Sequence, residues 1–200
     1  MANLYRYPLH KLSVQPTIVM ALPIESQGLF EKSGVDIQYT GIGKINAAMK
    51  ATELILNGAK FIINMGSAGS PKFKTHALIE CAGFVQHDMD VSPLGFEIGE
   101  TPMDEIKSLV LAEQRLLETA EHGICGTGDH FVTGQSKVAC DLFDMEAYAI
   151  AKVCKKFQVP FASIKFVSDG ADHTAHQDWQ VSLEEGARVL MNAYREITRS

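Results

Sequence analysis

The chain has 200 residues with 24 acidic and 18 basic side chains, a formal charge of −6, and 46% hydrophobic content. That composition belongs to an ordinary globular chain able to bury a sizeable core, and the acid surplus argues against nucleic acid as partner. No run approaches the roughly 18 consecutive apolar residues of a membrane span, and the widely spaced Cys81, Cys125, Cys140 and Cys154 suggest reduced core thiols in a cytoplasmic protein.

Apolar β-rich runs alternate with helical spacing, which predicts an α/β layered fold in one domain over residues 1–200. After a polar and aromatic lead, Met1 to Gln15, a strand is expected over Thr17–Leu22. Glu25 is expected to open a short helix running to about Lys32, and a second strand to cover about Asp36 to Thr40. Ile45, Ala48, Met49, Thr52, Ile55 and Leu56 fall at helical spacing, with Gly58 as the stop. Phe61–Met65 reads as a buried strand closed by a tight small-residue turn, Gly66-Ser67-Ala68-Gly69, in which backbone amides can approach a ligand.

Farther on, Leu78–Gln86 and Ile124–Gly126 look β-like and flank an expected helix from Asp104 to about Ala120. Cys140–Phe143 reads as a short strand and Glu146–Phe157 as a helix whose stripe is Ile150, Val153, Cys154 and Phe157. Phe161–Val167 reads as a buried strand and Leu183–Ile197 as a closing amphipathic helix. Lys152, Lys155 and Lys156 look like the wet face of their helix.

Three carboxylates stand at element ends, where layered α/β sheets collect ligands: Glu25, Glu146 and Asp169. Any one alone reads most simply as a cap. Together they can supply a proton donor and a water-activating carboxylate, the pair that glycosidic-bond cleavage needs. Glu146, in the first turn of its helix, is expected to be held ionised by the macrodipole and so to accept from hydroxyls. Gly41-Ile-Gly43 lacks the third glycine of a dinucleotide fingerprint, since Asn46 stands there. His87 with Asp88 and Asp90, and His173 with His176, lack a complete metal-ligand set, so neither a metal nor a cofactor is expected. Phe131, beside Val132, could present a ring to a planar base.

Ala21-Leu-Pro-Ile-Glu25, Thr40-Gly-Ile-Gly-Lys-Ile-Asn-Ala47, Ile63-Asn-Met-Gly-Ser-Ala-Gly69, His87-Asp-Met-Asp-Val91, Gly126-Thr-Gly-Asp-His-Phe131, Asp144-Met-Glu-Ala147 and Val167-Ser-Asp-Gly-Ala-Asp172 occur in that order. In this the chain resembles the nucleoside phosphorylase/nucleosidase superfamily, and within it the 5'-methylthioadenosine/S-adenosylhomocysteine nucleosidases. The resemblance implies a three-layer αβα sandwich with a mixed central β-sheet, a homodimer, and hydrolysis of the N-glycosidic bond of a 5'-substituted adenosine. It assigns Asp169 as the acid on adenine N7 with Ser168 beside it, and Glu25 as the carboxylate that activates water. Met145 and Glu146 would clamp the ribose and Ser67 would lie beside it, while Phe131 stacks on adenine and the Val132 backbone reads its edge.

The chain departs from that pattern at several points. Arg6, Arg115, Arg188, Arg195 and Arg199 all lie outside the motifs, which favours water over phosphate as acceptor. Lys165 replaces an arginine usual near the water, and Leu94 and Trp179 alter the 5' pocket. A β-hairpin usual in relatives between Phe30 and Gly41 is missing. The alternatives are a purine nucleoside phosphorylase, a futalosine-type nucleosidase, and a non-catalytic nucleoside-binding protein on the same fold.

Overall fold

The computed structural model describes residues 14–106, 108–134 and 136–199; the polar lead lies outside them up to Ser13. Eight strands form one mixed sheet between two helical layers. Strand β1 (Thr17–Met20) pairs in parallel with β2 (Ile37–Tyr39) on one side and β3 (Ile62–Gly69) on the other. Next come β4 (Leu78–Gln86), the two-residue β5 (Val110–Leu111), β6 (Glu121–Thr127), β7 (Leu142–Asp144) and β8 (Phe161–Asp169).

Strand β8 runs parallel to β3 and antiparallel to β4. Strand β4 pairs with β6, β6 with β7, and β7 returns to β3 through Gly69 and Phe143. The strands β3, β8, β4, β6 and β7 thus close a circuit, which leaves few edges and ties the ends of β3, β7 and β8 together. The β3–β8 register shifts between Ala68 and Gly69, so that Val167 faces Ala68, Asp169 faces Gly69, and Ser168 has no partner across the ladder.

Side chains alternate between the two layers at the period of two that a strand imposes. Val19, Ile62 and Val167 pack in one core cluster with α3 (Lys44–Leu56) and α4 (Ala147–Phe157). Ile18, Met20, Ile63, Met65, Ile164 and Phe166 pack in the other, with α2 (Leu29–Lys32) and α5 (Ala175–Thr198).

Several expected elements take a different form. The helix expected from Glu25 is broken into α1 (Pro23–Ser26) and α2, because Gln27 and Gly28 both adopt positive φ. Gly66–Gly69 is the end of β3 rather than a turn, hydrogen-bonded along β8. The closing helix starts earlier than its apolar stripe suggests, at Ala175.

Among the described residues of 104–120 there is no helix. Their donors are claimed elsewhere: β5 pairs with Gly83 and Phe84, the Ala112 amide donates to the Ala82 carbonyl, and the buried Glu80 carboxylate takes the amides of Leu116 and Leu117 at 2.6 and 3.1 Å. Nor are the lysines of α4 merely wet. Lys152, Lys155 and Lys156 pair with Asp104, Glu113 and Glu105, pinning this same segment to the helix. Between α2 and β2 the chain runs directly, without a hairpin.

Candidate active site

The C-terminal ends of β3 and β8 meet beside α1 and the start of α4, around a cavity of about 300 Å³. Glu25, Ser67, Phe131, Val132, Met145, Glu146, Ser168 and Asp169 all line it. Sequence distances of up to 144 residues, from Glu25 to Asp169, are closed by the strand circuit.

Glu25 is buried in α1, where its Oε2 accepts the amides of Ala21 and Leu22 at 3.2 and 3.1 Å. Its Oε1 accepts both the amide and the hydroxyl of Ser67, at 2.9 and 2.8 Å. This close approach explains the small residues of β3. A Cβ on Gly66 would stand 3.0 Å from Glu25 Oε1, and one on Gly69 would stand 2.5 Å from Asp169 Oδ1. The run that resembles a ligand-binding turn is a strand end pared down to admit two carboxylates.

Asp169, the last residue of β8, accepts from Ser168 Oγ at 2.7 Å and from the Ala171 amide at 2.9 Å. Burial pushes its pKa above the usual aspartate value, helped by the charges of Asp178 and Asp172 and opposed by those two hydrogen bonds. The carboxyl thus holds its proton more tightly than an ordinary aspartate, before any ligand adds to the burial.

Glu146 corrects an expectation. It is the N-cap of α4, yet the positive end of that helix is occupied by others: the Ala147 amide donates to Asp144 Oδ2 at 2.9 Å and the Tyr148 amide to Thr127 Oγ1 at 2.9 Å. The Glu146 carboxylate turns to the Gly43 amide at 2.8 Å. Burial and then the adjacent Asp144 charge raise its pKa to about 8, against the pull of Lys165 and the Gly43 amide. Desolvation outweighs the macrodipole that the sequence position suggests.

Lys165 contacts Asp144 at 2.8 Å, so its ammonium is engaged there while its charge still acts on Glu146. Phe131 is exposed at the mouth of the cavity, with its ring edge-on to His176, centroids 6.3 Å apart. His87 is buried against His130 and Phe143, and His173 does not line the cavity. Among the described residues no group of three or more His, Cys, Asp or Glu side chains is placed to hold a metal.

Three contacts carry little signal in the sequence. The Gly43 amide acts through the backbone. Lys165, which the resemblance places near the water, pairs with Asp144 on a separate strand. The Trp179 indole, expected only to alter the 5' pocket, reaches Ser67 Oγ at 2.9 Å from α5.

Residues 26–199 match the sequence profile of the phosphorylase superfamily. The chain is 32% identical to the 5'-methylthioadenosine/S-adenosylhomocysteine nucleosidase of Anoxybacillus flavithermus, over 80% of this chain and 78% of that one. Among solved structures, the 5'-methylthioadenosine/S-adenosylhomocysteine nucleosidase from Helicobacter pylori with butyl-thio-DADMe-Immucillin-A superposes with a TM-score of 0.84 at 24% identity, covering 93% of this chain and 98% of that one. A futalosine hydrolase mutant of Helicobacter pylori strain 26695 gives a TM-score of 0.84 at 24% identity, covering 92% and 98%.

Proposed function

The chain belongs to the phosphorylase superfamily and, within it, to the 5'-methylthioadenosine/S-adenosylhomocysteine nucleosidases, and from that premise we propose that it hydrolyses the N-glycosidic bond of a 5'-substituted adenosine. The observation that carries this reading is the meeting of Glu25, Glu146 and Asp169 around one cavity, each held by different donors.

In this reading Asp169 gives its proton to adenine N7, and the C1'–N9 bond breaks with its electron pair leaving on the base. Water attacks C1' from the opposite face and its proton passes to Glu25, so that adenine and the free sugar are released. The positive charge that develops on the ribose is stabilised by the nearby carboxylates, and the leaving base by the N7 proton. Glu146 accepts from the ribose hydroxyls against Met145, and Ser67 lies beside the sugar. Ser168 supports Asp169, Phe131 covers the base, and the Val132 backbone meets its edge.

Water is favoured over phosphate because no arginine lines the cavity among the described residues. A homodimer fits the exposed apolar side chains Ile42, Ile45, Met49 and Leu94, four large hydrophobics that a lone chain would leave in water. Leu94 is absent from the lining of its own cavity, which suits a role in closing the 5' end of a partner's. A cytoplasmic place in methionine salvage and purine metabolism is in keeping with free thiols at Cys81, Cys125, Cys140 and Cys154.

The test is adenine release from 5'-methylthioadenosine, S-adenosylhomocysteine and futalosine, with and without phosphate. Phosphate-independent release from the first two supports the reading, and Asp169→Asn should lower it by roughly 10²–10⁴-fold. Strict phosphate dependence, or full turnover by Asp169→Asn, overturns it. Futalosine is the second reading, favoured by the structural match to a futalosine hydrolase, and would act through the same carboxylates.

A further inference from the structure

Trp179 is the one tryptophan of the chain. It lies half-buried near the start of α5 and donates its indole N–H to Ser67 Oγ at 2.9 Å. Ser67 Oγ lies 2.8 Å from Glu25 Oε1. The first contact fixes the sense of the second. An indole nitrogen can only donate, so it takes a lone pair of the hydroxyl oxygen, and a carboxylate can only accept, so it receives the single hydroxyl proton.

The other donors to Glu25 are the amides of Ala21, Leu22 and Ser67. Those are immobilised by the backbone. Among the described residues, the Ser67 hydroxyl is the one partner of that carboxylate that a side-chain rotation can remove, and the indole is what opposes the rotation. Trp179 is itself anchored, its carbonyl accepting from the buried Ser182 hydroxyl at 3.0 Å.

We infer that Trp179 is a positioning residue for the water-activating end of the site: its N–H holds the Ser67 hydroxyl on Glu25 and so fixes the carboxylate that meets the attacking water. The inference rests on the nucleosidase reading for its effect on rate, whereas the placement of Ser67 by Trp179 does not. A plain wall of the pocket would need only the bulk of the ring. A positioning donor needs the nitrogen.

Trp179→Phe keeps the ring and removes the donor. Loss of one hydrogen bond predicts a fall in kcat for adenine release of about three- to tenfold, with KM held within about twofold. In a Ser67→Ala background the same change should cost nothing further, since the hydroxyl it orients is gone. Equal losses in the two backgrounds, a change in KM alone, or no loss overturns the inference. If the unsubstituted protein releases no base from any 5'-substituted adenosine, the reading of the reaction fails by itself. Trp179 is then judged by the single indole N–H resonance in NMR. Ser67→Ala should move that resonance upfield and speed its exchange with solvent, and an unmoved resonance overturns the placement.

Discussion

Asp144 and Lys165 meet at 2.8 Å with 1% and 2% of their side chains exposed, and the charges of both act on Glu146. Burial alone would push the Asp144 carboxyl up and the Lys165 ammonium down. Burial is the largest single effect on each, yet each is shifted the other way, because the partner's charge and the neighbouring hydrogen bonds and charges together exceed it. Asp144 also caps α4 through Ala147 and takes the Thr127 hydroxyl at 2.5 Å. Removing the ammonium therefore leaves a buried charge without its counterion. Lys165→Met should lose about 3–5 kcal/mol in urea unfolding, the range for breaking a buried pair from one side. A loss under 1 kcal/mol would mean that water reaches Asp144 in solution.

Glu146 makes a stability prediction with a definite sign. Its pKa rises from 4.5 when unfolded to about 8 in the fold, so the native state binds that proton more tightly. Its contribution is fully present below pH 4.5 and is lost as pH climbs through 8. Glu146→Gln removes the titration and can still accept from Gly43. The Tm difference, variant minus parent, should grow between those limits and level off above them, at roughly 2–4 °C per kcal/mol for a chain of this size. A flat difference across pH 5 to 8.5 would show that the carboxyl is not held protonated.

Gly69 tests the close packing of strand and acid. An alanine there would put a methyl group 2.5 Å from Asp169 Oδ1, where only displacement of the acid relieves the clash. Gly69→Ala should fold and yet lose about 100-fold in turnover, the scale of an ångström's misplacement. Retained activity would show that Asp169 tolerates being moved.

The apolar face of α3 carries the oligomer prediction. Ile45 and Met49 are 73% and 68% exposed. Ile45→Asp should turn a dimer into monomer in sedimentation velocity, while the circular dichroism of the chain stays unchanged. A parent protein that sediments as a monomer would remove the homodimer from the proposal.

Strands were legible in the sequence where burial is two-sided. Leu78–Gln86 reads as a strand from its apolar run alone, and so does Phe161–Val167, because a central strand needs no neighbour to explain its composition. The helix over Ile45–Leu56 is equally plain, but its buried face is not the expected stripe: Ile45, Met49 and Leu56 are exposed, and Ala47, Ala51 and Leu54 are buried instead. Residues 104–120 were not legible, because Leu109, Val110, Leu111, Leu116 and Leu117 suit a helix as well as an edge strand. Glu80, on another strand, decides the matter by claiming two of their amides.

The carboxylates of the cavity were visible as residues at element ends, but their protonation was not. Position at a helix start pointed Glu146 toward the ionised form, and only the three-dimensional arrangement shows Asp144 and Thr127 already occupying the amides in question. Motifs name the groups; packing sets their charge.

The unpaired Ser168 has one more implication. Along a regular strand, neighbours point to opposite sides, so Asp169 owes its aim to a count as much as to its chemistry. Removing that one residue would preserve every acid in the chain and turn the carboxyl half a pleat away from the cavity. The placement of the carboxyl is thus encoded as spacing, and a comparison by residue identity alone would score a shortened relative as intact after its acid had been turned out of the cavity.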